Sequence, residues 1–244
     1  RLAPGTHEFG GTYRFLGGRP GQPASKPEMP SDVIIRLKAP RMQDLIRNDP
    51  PFTEVLERRR SVRRAPKKPI TVDLLAEFLY RVASTKAVHQ DSELETMQRR
   101  YPSAGGIHEL EFYVAVNECV GLNRAFLHYD GEQHVLRQLR STDKDLTTVF
   151  SNAAIAWGQD YPPQVLIVLA SRFGRIAWKY EKLAYRVTLI DCGVAIQTMY
   201  LVATAMNLAP CALGSGDSSL FSSLTGLHPM VEGSVAEFAL NSLV

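Results

Sequence analysis

Cysteine is scarce in this chain, and the scarcity narrows its chemistry. The 244 residues include three, Cys119, Cys192 and Cys211, and no two lie close enough for a CxxC redox pair or a metal knuckle. A sparse, odd set suits reduced thiols packed as small hydrophobes in a cytoplasmic protein. Metal-enzyme spacing is missing as well: the six histidines show no HExxH pattern, so no metal is expected. No GxxxxGK(S/T) loop is present. GSGDSS at 214–219 lacks the third glycine of a dinucleotide fingerprint and has no βαβ unit after it. The same stretch is out of frame for a GxSxG nucleophile turn. Hydrolase, kinase and zinc-enzyme readings are set aside on these grounds. An uninterrupted apolar run is also lacking. The stretch from Val187 to Leu208 carries Asp191, and a charge within a membrane span is costly, so a helix buried in a protein core is expected there. The opening RLAPGTHEFGG has no signal-peptide layout.

The charge that is present is concentrated. The chain has 28 Lys+Arg against 25 Asp+Glu, and seven of the eleven residues from Arg58 to Lys68 are basic. Removing that block leaves 21 basic residues against 25 acidic ones. A nucleic-acid binder spreads its basic residues over a face, so a nucleic-acid partner is not expected. One dense block suits a disordered tail, a solvated helix end or a single anionic ligand, and charge alone leaves those readings open.

An apolar content of 45% supports one large domain with a sizeable core. Residues 1–50, rich in Gly and Pro, read as an arm or linker with little regular structure, and residues 51–244 as the folded domain. The periodicity predicts a helix from Pro51 with Phe52, Val55 and Leu56 on one face. A second helix, Thr71 to Ser84, is capped by Thr71 or Asp73. A polar loop or lid runs to Arg100. Glu111–Asn117 reads as a strand, and AFLHYD and HVLRQL as a hairpin about Asp130-Gly131-Glu132. A helix over Lys144–Gly158 precedes a buried strand, Gln164–Ala170. The long helix, about Leu183 to Asn207, is apolar on nearly all sides. The order of elements does not alternate regularly, which favours an α+β fold.

Three stretches together resemble one family: Arg59-Arg60-Ser61-Val62-Arg63 at a helix end, YPSAGGIHELEFYVAV from Tyr101, and WKYEKLAYRVTLIDCGVAIQ from Trp178, followed by LGSGD. Together they resemble the flavin-dependent nitroreductase superfamily, and within it the SagB-type azoline dehydrogenases. Ile107-His108-Glu109-Leu110 departs from the Pro-containing continuation more usual there. The resemblance implies a nitroreductase-like fold, a mixed or antiparallel sheet flanked by helices, and a homodimer with FMN at the subunit interface. It implies that Arg59, Arg60, Ser61 and Arg63 serve the phosphate, which suits always-charged planar donors. Ser103, Ala104, Gly105 and Gly106 would approach the flavin edge, as would Leu213, Gly214, Ser215 and Gly216, where small residues admit close backbone approach.

The activity implied is oxidation of a peptide thiazoline or oxazoline to the aromatic azole, with cyclodehydratase or carrier-protein partners. A base takes the ring α-proton and a hydride leaves for the flavin. Lys179 and Tyr180 are the pair the resemblance marks as catalytic. Tyr180 is expected to accept the proton with the Lys179 ammonium lowering its pKa, the swapped roles being the alternative. Tyr185 and Arg186 would orient the pair or the substrate. A conventional NAD(P)H-dependent nitroreductase or quinone reductase, and a non-catalytic scaffold of a peptide-modifying complex, are the competing readings.

Overall fold

The alternation of large apolar side chains along β5 (Leu110–Val116) organises the molecule. Phe112, Val114 and Val116 enter one core, while Tyr113 and Ala115 enter another, as the two-residue period of a strand dictates. All seven residues of this strand are buried. The sheet therefore has a covered face on each side, and helices lie on both.

The computed structural model describes residues 21–90 and 94–243. The main sheet is antiparallel throughout, in the order β1 (Ile34–Arg36), β8 (Val135–Gln138), β7 (Ala125–Asp130), β5, β9 (Val165–Arg172), β11 (Glu232–Ser242) and β10 (Leu208–Leu213). On one face lie α3 (Val72–Ala83) and α6 (Ala184–Ala205); on the other, α4 (Asp143–Trp157) and α7 (Ser218–Thr225). The expected α+β class and long helix are both present. Thr71, rather than Asp73, caps α3, its side chain accepting from the Leu74 amide. A capping box between Thr142 and Asp145 opens α4, and Gly158 at φ +72° closes it. The three cysteines are free and buried, as small hydrophobes would be.

Four sequence expectations change. The segment before residue 50 contains β1 and α1 (Met42–Asn48), and residues 22–26 are fastened to the body. Arg172 donates to the carbonyls of Pro23 and Ala24 at 2.9 Å each, and Lys26 reaches Glu232. Guanidinium donors satisfy the backbone of a Gly/Pro-rich strap that has no ladder of its own. The first 20 residues of the expected arm lie outside the described residues. In α2 (Phe52–Arg58) Val55 is buried while Phe52 and Leu56 are exposed, because α2 touches the body along one narrow line. The stretch expected as a loop to Arg100 carries a small hairpin, β3 (Ala87–His89) with β4 (Thr96–Gln98). Two further short strands, β2 (Ile70–Thr71) and β6 (Cys119–Val120), pair in parallel. Finally, α6 is not buried on all sides. Tyr185, Leu189, Ile190, Gly193 and Gln197 form one exposed stripe along it, at helical spacing.

Candidate active site

The strand β9 runs directly into α5 (Phe173–Tyr180), so the sheet fixes where that helix starts. Arg175, fully buried, fixes its rotation. Its guanidinium donates to the carbonyls of Ile107 and Glu95 at 2.7 Å each and to that of Gln22. Three elements are thereby tied to one side chain. Lys179 and Tyr180 occupy the last turn of α5, and the chain then breaks at Glu181, whose φ is +41°.

Facing them is the loop Ser103–Gly106. Gly105 and Gly106 have φ of +58° and +68°, a region in which a side chain is strained. Room is also lacking at Gly105: a Cβ there would lie 2.3 Å from Lys179 Nζ and 2.8 Å from the Tyr180 hydroxyl. The Lys179 ammonium donates to the Gly105 carbonyl at 3.4 Å. Two stretches far apart in sequence, both singled out from it, thus meet at one glycine.

Behind the loop stands Asp191, buried on α6. Its carboxylate accepts from Ser103 Oγ at 2.6 Å and from the Ala104 amide at 3.0 Å, while Ser103 Oγ accepts from the His108 amide at 2.9 Å. The central charge of the apolar helix is therefore a loop anchor. Glu109, fully buried, lies beside it, with Ser103 Oγ 3.5 Å from Glu109 Oε2. Burial and the Asp191 charge push the Glu109 carboxyl up to about 8. Burial, then the charges of Asp191 and Glu109, raise Tyr180 above the usual phenol range. Burial lowers Lys179 below the usual ammonium range. These directions oppose the expectation that Tyr180 is the proton acceptor. A phenol beside two carboxyls resists ionisation, and a half-buried amine gives up its proton more readily.

The basic block lies further along α6. The Ser61 hydroxyl pairs with that of Tyr200 at 2.7 Å, Arg59 lies over the Tyr200 ring at 5.4 Å, and the Val62 amide donates to Pro210 on β10 at 2.8 Å. Ser61 and Arg63 approach the Cys211 thiol. Arg59 and Arg60 both line a groove with Arg58 and Asn207. Between the two groups, Leu213, Gly214, Ser215 and Gly216 at the end of β10 face Cys192, Gly193 and Ile196 across a cleft of about 380 Å³. Asp191 and Tyr200 are nine residues apart, about 14 Å along the helix. The loop pair, the glycine turn and the basic block are therefore strung along α6 in that order. Tyr185 and Arg186 are exposed on α6, and the hydrogen bond that Lys179 makes goes to Gly105 rather than to either of them.

Arg175, Glu109 and Tyr200 escaped the sequence reading. Arg175 sits in a helix between apolar neighbours and Glu109 at a strand start, neither in a spacing that singles it out. Asp191 carried the one available signal, an acid within an apolar helix.

Comparison with known proteins agrees with this fold. The Nitroreductase family model matches residues 56–238. MJ1384 of Methanocaldococcus jannaschii, named for the same family, is 26% identical over 162 residues, covering 66% of this chain and 77% of that protein. The trifolitoxin-processing protein TfxB of Rhizobium leguminosarum is 25% identical over 176 residues. That match covers 70% of this chain and 47% of TfxB, so the chain spans about half the length of that relative. Among solved structures, the Escherichia coli microcin synthetase McbBCD complex with truncated pro-MccB17 bound superposes with a TM-score of 0.63. It is 15% identical and covers 77% of this chain and 70% of that one. With the family model spanning most of the chain and the sheet and long helix in place, this protein belongs to the nitroreductase family.

Proposed function

We propose that this oxidoreductase is an FMN-dependent dehydrogenase that converts thiazolines or oxazolines in a modified peptide to thiazoles or oxazoles. The meeting of Lys179 and Tyr180 over Gly105 carries this reading. A lysine–tyrosine pair held against a glycine backbone suits proton removal beside a flat acceptor, whereas reduction of a nitro compound or quinone needs no dedicated base. The toxin-processing relative and the microcin synthetase neighbour support the peptide context.

The residues fit a flavin mononucleotide. The cleft beside Gly214–Gly216 has the volume of a small-ligand site. At Gly105 a Cβ would occupy the space that the Lys179 and Tyr180 side chains now fill, so the absence of a side chain there is what lets the pair lie against the loop backbone. Arg59, Ser61 and Arg63 offer two guanidinium groups and a hydroxyl to a phosphate. Bound there, the flavin supplies two-electron acceptance. Lys179, with its ammonium disfavoured by burial, takes the ring α-proton. Tyr180 stays a phenol and donates a hydrogen bond to the substrate heteroatom or to Lys179.

The exposed stripe of α6 supports a homodimer. Tyr185 is 67% exposed and Ile190 55%, on a helix otherwise packed in the core, and a contiguous apolar face of this kind marks an interface. Tyr185 and Arg186 would then act on a site only across that interface. A cyclodehydratase or a carrier protein would present the substrate. The experiment is incubation of the flavin-loaded protein with an azoline peptide, read by mass spectrometry. Loss of two hydrogens per ring supports the reading; NAD(P)H turnover with an unchanged peptide refutes it.

A further inference from the structure

Two carboxyls lie out of solvent behind the Gly105 loop, and no step described above uses them. Glu109 is fully buried and Asp191 is 3% exposed. They come from different elements, the start of β5 and the middle of α6, and they lie within hydrogen-bond reach of each other. Ser103 touches both. Asp191 is well satisfied, accepting from the Ser103 hydroxyl and the Ala104 amide. Glu109 is not: its Oε1 is buried with no partner among the described residues.

The charge around the pair matters as much as the contacts. The titratable groups that feel Glu109 are Tyr101 from the preceding loop, Tyr180 from α5, and Cys192 and Asp191 from α6. Burial holds Tyr101 above the usual phenol range and pushes the Cys192 thiol up to about 11, so both are neutral at pH 7. His108, adjacent in sequence, is held neutral by burial and by Arg99 and Arg175, which push it down to about 3. Only Asp191, Ser103 and the Glu109 backbone act appreciably on Glu109, and none is a cation. Two touching carboxylates without a counter-charge cannot both ionise near neutral pH.

We infer that Glu109 is held protonated against the Asp191 carboxylate, and that the negative charge remaining on this buried pair behind Gly105 keeps Tyr180 a phenol while Lys179 takes the substrate proton. The inference rests on the reading of Lys179 and Tyr180 as the reacting pair.

The test uses the purified full chain with flavin present and needs no azoline substrate. Infrared spectra of wild type and Glu109→Gln are compared at pH 7, in water and in heavy water. A protonated-carboxyl band that shifts in heavy water and vanishes in the variant is expected. Tyr180 is then titrated by its phenolate absorbance, assigned by subtracting Tyr180→Phe. In Glu109→Gln it is expected to ionise at a lower pH, because the negative charge that Glu109 carries at high pH is gone. Absence of the carboxyl band overturns the proton on Glu109. A band with an unmoved Tyr180 titration overturns the influence on Tyr180, leaving the pair structural. Should Glu109→Gln fail to fold, Asp191→Asn reads the same two quantities. Failure of azoline oxidation in the earlier assay leaves both readouts intact, so the two failures are distinguishable.

Discussion

Gly105→Ala is the most informative single substitution. The new methyl would start 2.3 Å from Lys179 Nζ and 2.8 Å from the Tyr180 hydroxyl, whereas ordinary contacts begin at 3.4 Å. Lys179 must therefore retreat by about 1 Å and Tyr180 by somewhat less. The lysine tip is flexible and moves at little folding cost. The residue also sits at φ +58°, which costs an alanine about 1–2 kcal/mol. The melting temperature should fall by a few degrees only. Activity should fall far more, because a misplacement of about 1 Å at reacting groups costs on the order of 100-fold, or about 2.7 kcal/mol of barrier. The assay is azole formation at saturating flavin, with bound flavin measured in parallel. In a Lys179→Ala background the same change should add little, since the displaced group is already absent. Azole formation within twofold of wild type by a folded, flavin-loaded Gly105→Ala protein would refute the placement of the pair over this glycine.

Three further outcomes follow from the same geometry. The folded-state value of Glu109, about 8, lies above its ordinary 4.5, so the stability it contributes is fully present below about pH 4.5 and is lost as pH rises through 8. At about 1.4 kcal/mol per pH unit the loss is roughly 5 kcal/mol at most; urea midpoints should drop over that window in wild type and stay flat in Glu109→Gln. Arg59→Ala and Arg63→Ala should each weaken FMN binding by about tenfold in a fluorescence titration, and added salt should shrink the difference, since both arginines stand near solvent. Ile190→Glu places a charge on the exposed stripe of α6 and should halve the sedimenting mass if that stripe joins two copies.

Much of the fold was legible because strands such as β5 and β9 are long, apolar and bounded by turn residues, and α6 is long enough to admit no other reading. The short elements before residue 50 were not, since β1 has three residues and is held by pairing with β8, a contact far away in sequence. The exposed face of α6 was missed for a related reason: an apolar residue reads the same whether its partner lies in its own chain or in another. At the proposed site, the pattern singled out Lys179, Tyr180 and the Ser103–Gly106 loop, which the structure brings together. Their roles depended on neighbours the pattern did not contain. Burial, with Asp191 and Glu109 beside it, biases Tyr180 against ionising, and that bias exists only once α5, α6 and the start of β5 are packed together.

The central claim is that Lys179 and Tyr180 remove a proton from an azoline while a bound flavin takes the electrons. It is tested most directly by the mass of an azoline peptide after incubation with wild type, Lys179→Ala and Tyr180→Phe, each with flavin content verified. A loss of two hydrogens per ring is expected with wild type and little or none with Lys179→Ala. A flavin-loaded Lys179→Ala, Tyr180→Phe double variant that makes azoles at the wild-type rate would contradict it.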